Sequence, residues 1–483
     1  MPVRTEYATP LRPQRAVGVE RGERGWALGI TLAALGLLGG AALLMGPPPG
    51  GLRETAVVVV FAAAVVGWVS NRFDDTHIAL VAATALVLFG ALDADDLFAT
   101  LGGEQIWLLV AAFVLASGVS RTGLTARAAV ALIGRARTAR GLVHLVTAGL
   151  LLTALLVPST SGRAALVLPV FTVLADAFAD RRRLVHALAL LFPTVVLLSA
   201  VATLVGAGAH LITSQLLAET TGEGIGFAQW LLWGAPLAIA SSHLAAELVL
   251  LLFTGRADRR ARLTVDAAEL RRAMGIPKHI RRTEIRAAAL LLAVVVLWST
   301  EQLHGLPPAL IALGGALLVT SPKVGAVKLG TAVAEIPWSM LLFMAATTAL
   351  GLALTSSGVA DAMAAAVLHG SSGPALLVSV VVASALAHLL VQSRSARSSV
   401  LIPLVIPAAA AVGMNPVALA FASTAAAGFC HTLPSSAKPV ALFSAHYTPR
   451  DLLTLSAALG PALVGLVLLF ATQVWPVLGL PLK

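Results

Sequence analysis

Apolar runs of about 17–25 residues recur along the chain, separated by short polar segments. A run of that length crosses the ~30 Å hydrocarbon core of a bilayer as an α-helix. The pattern predicts eleven crossings, at 26–46, 55–71, 77–92, 104–120, 185–207, 227–254, 287–303, 307–321, 338–356, 415–433 and 452–477. Two more apolar stretches, 141–178 and 374–412, are each split by a polar break. Their arms are near the minimum for a span, and each second arm carries a proline. They read as re-entrant helical hairpins; two full crossings each would leave the parity of the topology unchanged.

The two breaks match each other. One is Ser159-Thr160-Ser161-Gly162-Arg163, running on to Leu168-Pro169; the other is Ser393-Arg394-Ser395-Ala396-Arg397, running on to Ile402-Pro403. Both read S-x-S-x-R and then six residues to a proline, 234 residues apart. Charge and hydroxyls are expensive to bury in a segment this apolar. A break that occurs twice, at matching places, points to a transporter built from inverted-topology repeats with its site at the breaks. Other marks recur as well. Ser120-Arg121-Thr122-Gly123 precedes the first hairpin, and Thr355-Ser356-Ser357-Gly358 precedes the second. The helices after the hairpins are also broken, at Thr203-Leu204-Val205-Gly206-Ala207-Gly208-Ala209-His210 and at Leu433-Pro434-Ser435-Ser436-Ala437-Lys438-Pro439.

Charge fixes an expected orientation. Of 33 Lys and Arg, 27 fall in segments that lie on one side if the N-terminus is inside, and only Arg53 and Lys483 fall on the other. Basic loops mark the cytoplasmic side. The same reading turns the formal charge of +10 into a topology signal and excludes a nucleic-acid partner. The four basic residues left over, Arg163, Arg394, Arg397 and Lys438, all lie in the breaks. The expected organisation is a cytoplasmic tail 1–25 and a first half 26–254 with hairpin 141–178 and broken helix 185–215. A cytoplasmic connector 255–286 follows, then a second half 287–483 with hairpin 374–412 and broken helix 415–446. The C-terminus is expected outside, and the bilayer is taken to be the plasma membrane. With 12% charged residues there is no room for a sizeable soluble domain, and one cysteine, Cys430, excludes an internal disulfide.

The breaks have a physical use. An unwound turn frees backbone N–H and C=O groups, which protein or a water-filled cavity must satisfy. Helix N-termini there aim positive partial charge at an anion, and freed carbonyls suit a cation. An arginine holds a carboxylate or sulfate with two parallel hydrogen bonds. The candidate substrate residues are therefore Ser159, Thr160, Ser161, Arg163, Thr203, His210, Ser393, Arg394, Ser395, Arg397, Ser435, Ser436 and Lys438. Each has a duller alternative: membrane hydroxyls bond neighbouring carbonyls, and His210 and Lys438 also suit loop ends. His243 and Glu247 share a helix face, as a packing pair or a proton relay.

The order of hairpin, broken helix, connector, hairpin, broken helix resembles the divalent anion/sodium symporter family of the ion transporter superfamily, over roughly 55–477. That family carries Ser-Asn-Thr at each hairpin tip, followed by an apolar run ending in Leu-Pro. Ser159-Thr160-Ser161 with Pro169, and Ser393-Arg394-Ser395 with Pro403, match those positions. The resemblance implies a homodimer with a scaffold part and a moving part, and a small divalent anion such as a dicarboxylate or sulfate as substrate. The family's tip asparagines, used for substrate carboxylate and sodium, are replaced by Thr160 and Arg394, which leaves sodium coupling open and favours exchange or proton-linked transport. Export or exchange of a metalloid oxyanion or a cation is the alternative, and a membrane enzyme or lipid-handling protein is a third. No hydrolase, metalloprotease or nucleotide-binding motif is present, and no cofactor is expected. A cysteine placed at Thr160 is expected to react with an impermeant thiol reagent from the inside. Labelling confined to the outside would replace the first hairpin with a plain double crossing.

Overall fold

The computed structural model describes residues 51–483 apart from 71, 156, 264, 324, 369–371, 434 and 435. The tail 1–25 and the crossing 26–46 lie outside the described residues. The described chain is helical, with one isolated bridge between Thr138 and Arg262 and no strand. Seven helices are long and apolar enough to cross a membrane: Leu52–Ser70, Ala94–Thr122, Thr160–Ala177, Arg182–Ala202, Phe227–Phe253, Trp338–Ser356 and Pro449–Val477.

The order of helices recurs. The first half runs α1 (Leu52–Ser70), α2 (Asp75–Leu88), α3 (Ala94–Leu101), α4 (Glu104–Thr122), α5 (Leu124–Ile133), α6 (Ala139–Thr153), α7 (Thr160–Ala177), α8 (Arg182–Leu198), α9 (Gly208–Thr221) and α10 (Phe227–Phe253). The connector holds α11 (Arg256–Arg260) and α12 (Ala267–Ala273). Then come α13 (Arg282–Ser299), α14 (Glu301–His304), α15 (Pro308–Thr320), α16 (Leu329–Ala334), α17 (Trp338–Ser356), α18 (Val359–Leu368), α19 (Gly373–Leu386), α20 (Arg394–Ala411), α21 (Pro416–Ala426), α22 (Lys438–Leu442) and α23 (Pro449–Leu469). Helices α4 and α17 each have 19 residues, α7 and α20 each have 18, and both pairs start 234 positions apart. The recurring Gly123 and Gly358 end α4 and α17 at positive φ, 82° and 72°, where an L side chain is strained.

Each hairpin tip is built by its serine. Ser159 caps α7 by accepting from the Gly162 N–H at 3.2 Å, and Ser393 caps α20 by accepting from the Ala396 N–H at 3.3 Å. The incoming arm α6, with 15 residues, rises about 22 Å at 1.5 Å per residue, and α19, with 14, about 21 Å. Both are shorter than the ~30 Å hydrocarbon core of a bilayer.

The helices after the hairpins are each interrupted. Helix α8 gives way to two 3-10 turns, Ser199–Ala202 and Leu204–Gly206, before α9 starts at Gly208. A Cβ on Gly206 would lie 2.1 Å from the Ala200 carbonyl oxygen, so the turn admits only glycine. Trp230 on α10 supports this turn by donating to the Val201 carbonyl at 3.0 Å while stacking on His210 at 4.8 Å. The second break opens at Ala427, six residues before Leu433. The carbonyls of Gly428 and Phe429 accept from the guanidinium groups of Arg394 and Arg397 instead of from helix N–H groups.

Two apolar cores hold these parts. One joins α1, α2, α4, α9, α17, α20 and α21; the other joins α6, α7, α8, the C-terminal half of α10 and α23. Phe171 on α7 meets Phe192 on α8 and Phe443 beside the second break, with centroids 5.5 and 5.2 Å apart. The connector is fastened too: Arg127 on α5 pairs with the buried Glu284 and donates to the Pro277 carbonyl at 2.8 Å.

Arg163 is the main fastening inside the first hairpin. It is 0% exposed. Its guanidinium donates to Thr153 Oγ1 at 3.0 Å and the Leu150 carbonyl at 3.0 Å, both at the end of α6. It also donates to the Val196 carbonyl at 3.1 Å and Ser199 Oγ at 2.5 Å, at the first break. Hydrogen bonds from a charged donor contribute roughly 1.5–3 kcal/mol each. Arg163→Gln is expected to lower the melting temperature of the detergent-solubilised protein markedly, by a loss of at least about 3 kcal/mol. An unchanged melting curve would show that the clamp is dispensable.

Candidate functional site

Both tips and both breaks meet at one cavity of about 380 Å³. Ser159, Thr160 and Ser161 line it from the first tip, and Leu197, Ala207 and Gly208 from the first break. Gln392, Ser393, Arg394, Ser395 and Arg397 line it from the second tip, and Cys430, Ser436, Ala437 and Lys438 from the second break. Segments more than 200 residues apart thus share one space. The approach is close at Gly208, where a Cβ would lie 3.1 Å from Ser395 Oγ and 2.3 Å from the flexible end of Met340. The N-termini of α7, α9 and α20 all open onto this space, each with unsatisfied N–H groups and positive partial charge.

The cationic side chains lie at graded depth. Arg397 is 1% exposed, Arg394 is half-buried and Lys438 is exposed. Arg394 Nη2 donates to the Leu197 carbonyl at 3.1 Å and the Gly428 carbonyl at 2.8 Å, one at each break. Its Nε and Nη1 have no hydrogen-bond partner among the described residues. Arg397 Nη1 donates to the Phe429 carbonyl at 3.2 Å, and Cys430 lies beside both guanidinium groups. Among the described residues no carboxylate forms an ion pair with Arg163, Arg394, Arg397 or Lys438.

Three of the expected residues stand outside the lining. Arg163 turns away from the cavity because the end of α6 and the first break need its donors. Thr203 Oγ1 donates to the Ala154 carbonyl at 3.1 Å. His210 Nδ1 donates to the Thr203 carbonyl at 3.0 Å and is covered by Trp230. All three shape the turn behind the cavity. Ser435 lies outside the described residues. Ser436 lines the cavity, with its hydroxyl accepting from the Leu433 N–H at 2.9 Å. His243 and Glu247 join His144 and Arg140 at a separate place, with His144 Nδ1 2.8 Å from His243 Nδ1 and Arg140 Nε 2.8 Å from Glu247.

Sequence reasoning missed three lining residues with polar or thiol side chains, Asp75, Gln392 and Cys430. Cys430 carried no signal beyond its solitude. Asp75 carried one that was legible: two aspartates stand side by side before a span. Asp74 accepts from the N–H groups of Thr76 and His77, at 2.9 and 3.3 Å, and so caps α2 alone. Asp75 is left to face the cavity, where Ser393 donates to its carboxylate and Lys438 lies within electrostatic reach.

Known proteins share this fold. The fold resembles the Alcanivorax borkumensis YdaH transporter, with a TM-score of 0.53 and 22% identity over 81% of this chain and 90% of that one. It also resembles Neisseria gonorrhoeae MtrF, of a class of antimetabolite efflux pumps, with a TM-score of 0.54 and 16% identity over 92% and 99%. In sequence the chain is 25% identical over 385 residues to a membrane protein of Cupriavidus necator, covering 77% of this chain and 74% of the relative. It is 24% identical over 415 residues to the Bacillus subtilis protein named "Putative malate transporter YflS", covering 80% and 83%. The sodium:sulfate symporter transmembrane region matches residues 26–480, so the chain is an integral membrane transporter and belongs to that family.

Proposed function

We propose that the protein is a secondary active transporter of small divalent anions, dicarboxylate or sulfate-like, working by alternating access across the plasma membrane. The observation that carries this reading is the cavity's charge. Three cationic side chains and one acid line it, an excess of two positive charges that suits a dianion. Buried guanidinium donors without a carboxylate partner are costly, and an anion removes that cost by accepting from them. The malate assignment of the Bacillus subtilis relative agrees in substrate class. The recurring helix order supports inverted repeats, with the two halves moving about the shared cavity.

The coupling reading is exchange or proton-linked transport without sodium. Carbonyls freed at a break are the usual cation ligands in such folds. Here the Leu197 and Gly428 carbonyls already accept from Arg394, and the Leu150 and Val196 carbonyls from Arg163. A guanidinium about 4 Å from a sodium ion would oppose it by roughly 4 kcal/mol at an effective dielectric of 20, close to three decades of affinity. The resident cations take the place that sodium would fill as counter-charge to the substrate.

A panel of labelled anions in liposomes, with imposed sodium, proton and counter-anion gradients, tests both readings. Uptake of malate, succinate or sulfate driven by internal counter-anion in sodium-free buffer is expected. Uptake rising steeply with external sodium, with a Hill coefficient near two or above, would sink the sodium-free reading. Arg397→Gln is expected to weaken anion binding by about 10- to 100-fold, the worth of one charge-assisted contact. Lys438→Gln, exposed and easier to fold around, is expected to act in the same direction. Unchanged affinity in both variants would remove these groups from the site.

A further inference from the structure

The acid in the cavity comes from a different part of the molecule than the cations. Arg394, Arg397 and Lys438 belong to the second tip and second break, whereas Asp75 opens α2, which packs on α1 and α17. Thr76 Oγ1 donates to the Ser339 carbonyl at 3.0 Å and ties this helix start to the start of α17. The Lys and Arg distribution puts both helix starts at the inner rim of the membrane. The corresponding helix of the second half, α15, begins Pro308-Ala309, without charge, and the residue that opens α9 where Lys438 opens α22 is Gly208. An acid facing a base therefore occurs at one rim only. Asp75 and Lys438 line the same cavity, and no ion pair forms between them among the described residues.

From this asymmetry, and resting on the anion-transport reading, we propose that Asp75 is a state-specific counter-charge that promotes release of the anion to the inside. With the cavity at the inner rim, the Asp75 carboxylate takes up the Ser393 hydroxyl, faces Lys438 and repels the bound anion. Access from the other side requires the tips to move relative to α2, and Asp75 stays with α2. The site then regains its third uncompensated positive charge and binds a dianion more tightly. The same cations thus hold the substrate strongly on one face of the membrane and weakly on the other, without a change of protonation or a coupled ion. Asp75 acts here as a rim group tuning affinity, and the tips remain the binding groups.

The test is the Michaelis constant for malate and for sulfate on each face of proteoliposomes of defined sidedness, for wild type, Asp75→Asn and Asp75→Glu. Asp75→Asn is expected to lower KM at the inner face roughly three- to tenfold, with the outer-face KM unchanged. Asp75→Glu is expected to restore the wild-type asymmetry, which a merely structural role for the side chain would not do. An inner-face KM that is unchanged or raised in Asp75→Asn overturns the proposal while the anion reading stands. Absence of saturable transport of either anion by the wild type overturns the anion reading and this proposal with it.

Discussion

A carbonyl that leaves its helix inside a membrane must find a donor, because no water is there to supply one. This constraint organises the centre of the protein. The two tips and two breaks free such carbonyls in one small region, and three arginines answer them. Arg163 takes two carbonyls and two hydroxyls, Arg394 takes one carbonyl from each break, and Arg397 takes one. The fold keeps its irregular backbone because guanidinium, with five donors in a rigid fork, can serve several acceptors at once. The charge that comes with those donors is then present whether or not a ligand is bound.

On the anion-transport reading, that charge turns an architectural repair into a binding site. Arg163 spends its donors on the backbone and is sealed off. Arg394 spends part of them and lines the cavity with its Nε and Nη1 buried and unpartnered among the described residues, while Arg397 is more buried and Lys438 is exposed. The two halves of the chain differ at matching positions. Thr160 in the first tip corresponds to Arg394 in the second, and Gly208 in the first break to Lys438 in the second. The first half supplies hydroxyls, helix ends and close approach; the second half supplies the cations.

Much of this was legible in the sequence. The paired S-x-S-x-R breaks, the glycines at 123 and 358 and the unplaced basic residues all follow from chain-local physics: a serine that caps, a glycine that ends a helix, a charge that topology leaves without a place. Side-chain direction was not legible. Arg163 and Arg397 hold the same place in their motifs, yet one faces the protein and the other the cavity. That choice is set by which carbonyls the neighbouring break leaves free, a tertiary fact. The start of the second break was likewise missed because Ala427, Gly428 and Phe429 look helical until Arg394 and Arg397 arrive from the hairpin. Asp75 belongs in sequence to the loop before its span, and only the fold brings that loop to the groups at the tips.

The spacing of the two halves carries one more consequence. From α4 and α17 through α8 and α21, at Arg182 and Pro416, matching helix starts lie 234 positions apart, with α5 and α18 at 235. Past the breaks the interval changes: Gly208 and Lys438 are 230 apart, and Phe227 and Pro449 are 222 apart. From the start of α4 and of α17 to the start of the helix before each break, the two stretches have the same chain length, so an insertion there would shift a tip or a break out of the shared cavity. Beyond the breaks the two halves differ in length, and that is where a loop or a tag can be added at least cost to the site.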